Sequence, residues 1–164
     1  MAELELSRTR EDRNVYAIEG VGTLRLHGLF TRRATAEADA TSWEIARRGT
    51  WRWGVEATDP TGAVIGEFVP RGLRRGGTVR WAGRELTLRP SSNWRERFVL
   101  VDGDRVLAEL EGKGWGRRPV KVVLDDDAAI EPGLLLFTAF VVRGLAQDAD
   151  AAAGAAASTA ATSV

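Results

Sequence analysis

The chain of 164 residues has no cysteine, one histidine and only two lysines. Without cysteine it can form no disulfide bond, no thiol nucleophile and no thiolate metal site. The single histidine, His27, stands between Leu26 and Gly28, and it has no second histidine or cysteine with which to share a metal ion. We therefore interpret His27 as a structural residue, and the sequence predicts no catalytic residue, no metal site and no cofactor.

The chain also lacks net charge, because 23 Lys and Arg residues balance 23 Asp and Glu residues. A neutral chain has no overall field to attract nucleic acid, and no aromatic stacking platform or known motif accompanies its cations. No nucleic-acid partner is therefore expected. Arginine in place of lysine, with much alanine and glycine, is typical of a GC-rich, bacterial genome.

Long apolar runs are missing as well. The longest, residues 134–142, is interrupted only by Thr138 and would cover about 14 Å as a helix, against a hydrocarbon core of about 30 Å. Residues 1–10 contain Glu3 and Glu5 and have no apolar core of a signal peptide. The sequence thus predicts a cytoplasmic protein with no transmembrane span.

What the chain does have is strand-like alternation from about residue 15 to residue 124. Apolar and polar residues alternate over 51–57 and again over 64–69, which is typical of strands with one buried face. Turn signals at 59–62, 82–83 and 102–104 separate such runs. Short strands joined by tight turns predict an antiparallel meander of about ten to twelve strands.

The apolar run at 134–142 breaks this period. Its apolar residues cover every face of a helix that would begin at Glu131-Pro132 and end at Arg143-Gly144. Such a helix has to be surrounded by protein. About eight strands enclose only their own side chains, so a barrel around a helix needs more.

The predicted fold is therefore mainly β, a closed antiparallel barrel of about twelve strands around a buried C-terminal helix. Residues 14–145 form the barrel domain in this interpretation. Residues 1–13 are either an N-terminal extension or a first strand. Residues 146–164 are rich in alanine, offer nothing to bury and are predicted to be a disordered tail.

The order of motifs resembles a known family. The segments that carry the resemblance are 59–68, 81–90, Trp94 with Phe98, 107–110 and 131–142. In this order they are similar to the tubby-like C-terminal superfamily, which groups tubby domains, LURP-one-related proteins and phospholipid scramblases. The resemblance implies a twelve-stranded barrel and, in some branches, binding of phosphoinositides or other membrane lipids. The Pro-rich and Cys-rich region of the scramblase branch has no counterpart here, and no lipid-contacting residue is carried over.

One stretch of the chain has uneven charge. Between residues 71 and 121, thirteen Lys and Arg residues face six Asp and Glu residues, a local charge of +7. Two cationic clusters fall in glycine-rich turns. Their members are Arg71, Arg74 and Arg75, and then Lys113, Arg117 and Arg118 around Trp115. Because arginine binds phosphate with a bidentate fork and tryptophan favours a membrane interface, we interpret these residues as a candidate site for anionic head groups.

Other interpretations stay open. The same cations are also typical of the solvated outer faces of strands, and the acidic residues 125–127 suit the start of a helix better than calcium. The leading hypothesis is a non-enzymatic domain that binds anionic phospholipid or a membrane surface, peripheral to the membrane. The alternatives are a structural or protein-interaction domain without a small ligand, and an enzyme with an unrecognised site. The oligomeric state is not predicted.

Overall fold

In a computed structural model, the described residues form twelve strands and one helix. The structure describes residues 1–28, 32–49, 53–72, 75–92, 96–113 and 116–161. The strands are β1 (Ala2–Arg8), β2 (Val15–Ile18), β3 (Gly22–His27), β4 (Arg33–Ala38), β5 (Thr41–Arg48), β6 (Gly54–Thr58), β7 (Val64–Pro70), β8 (Gly77–Trp81), β9 (Arg84–Pro90), β10 (Arg97–Asp102), β11 (Arg105–Gly112) and β12 (Val120–Leu124). The helix is α1 (Pro132–Ala161).

The strands form a closed antiparallel barrel in which each strand pairs with the next along the chain. The first strand closes the barrel by pairing with the last, from Ala2 opposite Leu124 to Leu6 opposite Val120. Residues 1–13, which the sequence left as an extension or a first strand, therefore contain β1. The predicted fold class, a barrel of about twelve strands around a C-terminal helix, is confirmed.

Alternation along the strands gives the barrel an apolar interior. Leu24 and Leu26 of β3 are buried, while Arg25 between them is exposed. Strand β4 places three small residues on its inner face, Ala34, Ala36 and Ala38, all of which are buried. Small inner side chains leave room for a helix, which is about 10–12 Å across.

Helix α1 occupies that interior. Every residue from 134 to 142 is at most 3% exposed, so the helix is enclosed on all of its faces. Near its start, Gly133 lies against Trp81 at the end of β8 and against Trp43 in β5. Farther along, Val142 and Ala146 lie against Gly112 at the end of β11. The helix thus runs through the barrel from one end to the other.

A tryptophan holds α1 at each end of the barrel. At the start, the Trp81 indole Nε1 donates to Glu131 Oε2 over 3.0 Å. At the other end, the Trp53 indole donates to Asp148. These hydrogen bonds pair a buried or half-buried indole donor with a carboxylate beside the buried stretch, and they fix the position of the helix along the barrel axis.

The predicted disordered tail is wrong, because α1 continues to Ala161. The enclosed part extends to Ala146, and Asp148 contacts the barrel. Residues 151–158 are exposed and remain helical without burying an apolar face, since alanine has the highest helix propensity. No helix among the described residues has both the length and the apolarity that crossing a membrane requires.

Deleting residues 150–164 should hardly change thermal stability. The described side chains removed are exposed, so the melting temperature should fall by no more than about a degree or two. Deletion from residue 147 is the matched comparison, and it should cost more because it also removes the Asp148 contacts. Thermal unfolding followed by circular dichroism measures both. Equal losses would show that Asp148 does not hold the helix.

Candidate anion-binding end of the barrel

An antiparallel meander places its connections alternately at the two ends of the barrel. The connections that follow β1, β3, β5, β7, β9 and β11 therefore share one end, and the others share the opposite end together with the segment leading to α1. The first set comprises residues 9–14, 28–32, 49–53, 71–76, 91–96 and 113–119. The second set comprises residues 19–21, 39–40, 59–63, 82–83, 103–104 and 125–131.

These two ends carry opposite charge. Among the described residues, the first set of connections has eight Lys and Arg residues against Glu11, Asp12 and Glu96. We call these eight the cationic rim: Arg10, Arg13, Arg32, Arg71, Arg75, Lys113, Arg117 and Arg118. The second set, all of it described, has eight carboxylates and no Lys or Arg, and we call it the acidic end: Glu19, Asp39, Asp59, Asp104, Asp125, Asp126, Asp127 and Glu131. The amino group of Met1 contacts Asp126 and offsets one of these charges.

Both predicted cationic loops lie at the cationic rim, but only some of their cations are free of an ion pair with a carboxylate. Arg71, Lys113 and Arg117 are exposed and have no carboxylate partner in the described part of the chain. Arg75 forms an ion pair with Glu96, and Arg118 Nη1 lies 3.4 Å from Glu5 Oε2. Arg75 and Arg118 therefore contribute less free charge than the sequence suggested.

Two of the predicted site residues, Arg74 and Trp115, lie outside the described residues, as do Trp51 and Trp94. The two predicted loops share an end without being neighbours, because the 91–96 connection stands between them. For twelve strands spaced about 4.8 Å apart and tilted by about 40°, four strands of separation correspond to roughly 20 Å across the rim. The candidate site is thus a ring of separate cations and not one compact pocket.

Sequence reasoning missed the N-terminal third of this ring. Arg10, Arg13 and Arg32 belong to the cationic rim and are exposed. All three lie outside the stretch of uneven charge between residues 71 and 121, and Arg10 and Arg13 also lie in residues 1–13, which precede the predicted barrel domain. The alternation of Leu4 and Leu6 with glutamates in β1 was the signal that could have identified the first strand.

Below the cationic rim, arginines also approach aromatic rings. The guanidinium groups of Arg8 and Arg143 each lie 5.7 Å from the centre of the Tyr16 ring. Burial lowers the pKa of Arg143, and the nearby Tyr16 hydroxyl opposes that shift. Burial likewise lowers the pKa of Arg75. Arginine stays protonated despite such shifts. Arg75 and Arg143 therefore add positive charge at the end of the barrel that carries the cationic rim.

The outer wall beside the cationic rim carries a groove of about 650 Å³. Four arginines line it, namely Arg32, Arg33, Arg47 and Arg48. Arg48 Nε lies 3.3 Å from Glu56 Oε2. Burial lowers the pKa of Arg47, while Asp148 raises it. Glu44 and Glu56 also line the groove, and Arg47 pairs with Asp148. Arg32 and Arg33 are therefore the arginines of the groove that have no carboxylate partner among the described residues.

His27 takes part in a hydrogen-bonded chain on the outer wall. Its Nε2 lies 2.7 Å from Thr35 Oγ1, and the Thr35 hydroxyl donates to Glu44 Oε1 over 2.7 Å. The three side chains link β3, β4 and β5 on the solvent side. Among the described residues, no group of three or more His, Asp and Glu side chains is arranged to hold a metal ion.

The fold and the rim together define a closed β-barrel that is filled by its own C-terminal helix and charged oppositely at its two ends. Comparisons with protein-family models, curated proteins and solved structures yield no match to this chain. The resemblance to the tubby-like superfamily therefore stays a prediction, and function has to be inferred from the charges and contacts of the chain itself.

Proposed function

We propose that the protein is a non-enzymatic binding domain that docks its cationic rim onto an anionic lipid surface. The observation that carries this proposal is the separation of charge between the ends of a chain with no net charge. A molecule polarised in this way is oriented by an anionic surface, which attracts the cationic rim and repels the acidic end.

Because helix α1 fills the interior of the barrel, a binding partner is expected on the outer surface. Side chains of α1 fill the space that a ligand would occupy in an open barrel, since residues 134–142 are at most 3% exposed. A partner therefore has to bind outside the barrel. The exposed cations of the rim suit phosphate groups there, because guanidinium and ammonium groups form charge-assisted hydrogen bonds with phosphate oxygens.

The strength of such docking depends on how many cations are unpaired. Arg10, Arg13, Arg71, Lys113 and Arg117 have no carboxylate partner within the described ranges. Near an anionic membrane each cation contributes about 1 kcal/mol, and salt weakens the attraction over a distance of about 8–10 Å. Docking by the rim should therefore be measurable at low salt and weaker at physiological salt. On this proposal the protein is a cytoplasmic domain that binds lipid at the periphery of the membrane. Lipid binding is also what the resemblance to the tubby-like superfamily implies for some branches.

Neutralising three unpaired rim cations should weaken docking strongly. The variant carries Arg71→Gln, Lys113→Gln and Arg117→Gln, and its affinity for anionic vesicles should fall by about 100-fold at low salt, given about 1 kcal/mol per cation. Co-sedimentation with phosphatidylcholine vesicles that contain phosphatidylserine or a phosphoinositide measures this loss. Unchanged thermal unfolding of the variant would show that the fold is intact.

The matched control removes the same charge from the other half of the barrel. Arg80, Arg84 and Arg105 lie on the wall towards the acidic end, where Arg80 and Arg84 already pair with carboxylates and Arg105 donates to the Asp127 carbonyl. Replacing these three by glutamine should leave vesicle binding almost unchanged. Wild-type protein that stays in the supernatant at both salt concentrations, or equal losses in the two triple variants, would refute docking by the rim.

A further inference from the structure

The last part of α1 projects from the cationic rim. The enclosed stretch ends at Ala146, and the helix continues to Ala161. Fifteen further residues in one helix extend about 22 Å at 1.5 Å per residue. We call residues 147–161 the helical extension. Its side chains from 151 to 158 are exposed, whereas Asp148 near its start contacts the barrel.

The base of the helical extension brings a carboxylate to the rim. Asp148 Oδ2 lies 2.9 Å from Arg47 Nη2, and Asp148 also accepts a hydrogen bond from the Trp53 indole. The Arg47 guanidinium lies 3.8 Å from the centre of the Trp53 ring, and the Arg47 side chain is only 14% exposed. Asp148 thus forms an ion pair with an arginine at the cationic end of the barrel.

We propose that the helical extension is an internal guard that restrains docking of the cationic rim. This inference rests on the proposed function, because it concerns regulation of the same surface. The extension acts in two ways. Asp148 holds Arg47 as a phosphate group would, and the projecting helix keeps a flat surface away from Arg71, Lys113 and Arg117.

The guard is weakly held beyond its base. Residues 151–158 are exposed, so this part of α1 lacks the packing of an apolar face from which most helices in proteins gain their stability. Gly154 lies within the exposed part, and glycine destabilises a helix relative to alanine. A surface that attracts the rim can therefore displace or unwind the extension, whereas the enclosed part of α1 remains packed in the barrel.

Asp148→Asn tests the electrostatic part of the guard. The substitution weakens the contact with Arg47 and frees one cation, so affinity for phosphatidylserine vesicles at low salt should rise about fivefold, the equivalent of about 1 kcal/mol. Asp39→Asn is the matched control, because it makes the same change of charge at the acidic end. Asp39 has a positive φ of 49°, which asparagine tolerates. The control should bind like the wild type.

Ala153→Pro tests the steric part in the full-length chain. Proline there breaks the helix beyond the turn that holds Asp148, so the rim should bind vesicles more tightly although the Asp148 contact is kept. Ala153→Ser keeps the helix and should bind like the wild type. Tighter binding by either Asp148→Asn or Ala153→Pro, relative to its own control, supports the guard.

Failure of the guard is distinguishable from failure of docking. If the wild type binds and neither Asp148→Asn nor Ala153→Pro binds more tightly than its control, the guard is refuted while docking by the rim stands. If the wild type stays in the supernatant at both salt concentrations, docking by the rim is refuted, and the guard, which rests on docking, is overturned with it.

Discussion

Phe137→Asp should abolish folding of the whole chain. Phe137 is 0% exposed at the centre of the enclosed helix, and its ring centre lies 5.6 Å from that of Trp81. An aspartate there would bury a carboxyl group without a partner, in addition to losing the packing of an aromatic ring. The combined cost is comparable to the entire stability of an ordinary domain, about 5–15 kcal/mol.

Circular dichroism and thermal unfolding check this expectation. The Phe137→Asp protein should show no cooperative transition, whereas Phe137→Leu should unfold cooperatively at a lower temperature. Ala152→Asp is the control on the same helix, because it adds the same carboxylate where the side chain is exposed. It should leave the transition almost unchanged. A Phe137→Asp variant with a native-like transition would mean that α1 does not fill the barrel.

Most of the fold could be predicted because the strands and the helix occupy separate parts of the sequence, each with its own pattern of apolar residues. Residues that alternate with period two, such as those of β7, bury one face of a strand, and residues 134–142 are apolar on every face of a helix. A helix too short to cross a membrane and too apolar for solvent has to lie inside the strands. These local properties suffice to predict a barrel around a helix without any knowledge of contacts.

The boundaries of the fold were harder to predict. Residues 2–8 contain glutamates at alternate positions, which leaves only Leu4 and Leu6 as inward residues, and pairing with β12 decides that they form a strand. At the other end, the alanine-rich sequence that lacks an apolar face continues as helix because it extends one already formed. A segment that extends an existing helix avoids the free-energy cost of forming the first helical turn. The composition of residues 146–161 taken alone does not reveal this advantage.

The candidate site could be predicted only in part, because its electrostatics depend on tertiary contacts. The two glycine-rich turns that the sequence singled out lie in connections at the same end of the barrel. Pairing of Arg75 with Glu96, and of Arg118 with Glu5, joins residues from different connections and strands. Closure of the barrel brings Arg10 and Arg13 to the same end as Arg71, although about sixty residues separate them along the chain.

The second large effect is expected at the start of α1, where the helix passes between two tryptophans. A Cβ atom on Gly133 would lie 2.5 Å from Trp81 Cζ2 and 2.9 Å from Trp43 Cη2. The two rings already pack edge to face with centres 5.7 Å apart, and the Trp81 indole is held by Glu131. Neither ring can move without disturbing the other, so Gly133→Ala should destabilise the protein by about 1–3 kcal/mol.

Gly154→Ala, in the exposed extension of the same helix, provides the matched control. No atom outside the local helix lies within 4 Å of the position of a Cβ on Gly154. Alanine there should increase helix content, because it improves helix propensity by about 1 kcal/mol without a clash. The same substitution in the same helix should therefore lower the melting temperature at Gly133, whereas at Gly154 it should raise the helix content measured by circular dichroism and leave the melting temperature almost unchanged. If Gly133→Ala were instead as stable as the wild type, the close fit between the helix and the two tryptophans would be wrong, and the barrel would have spare room where α1 begins.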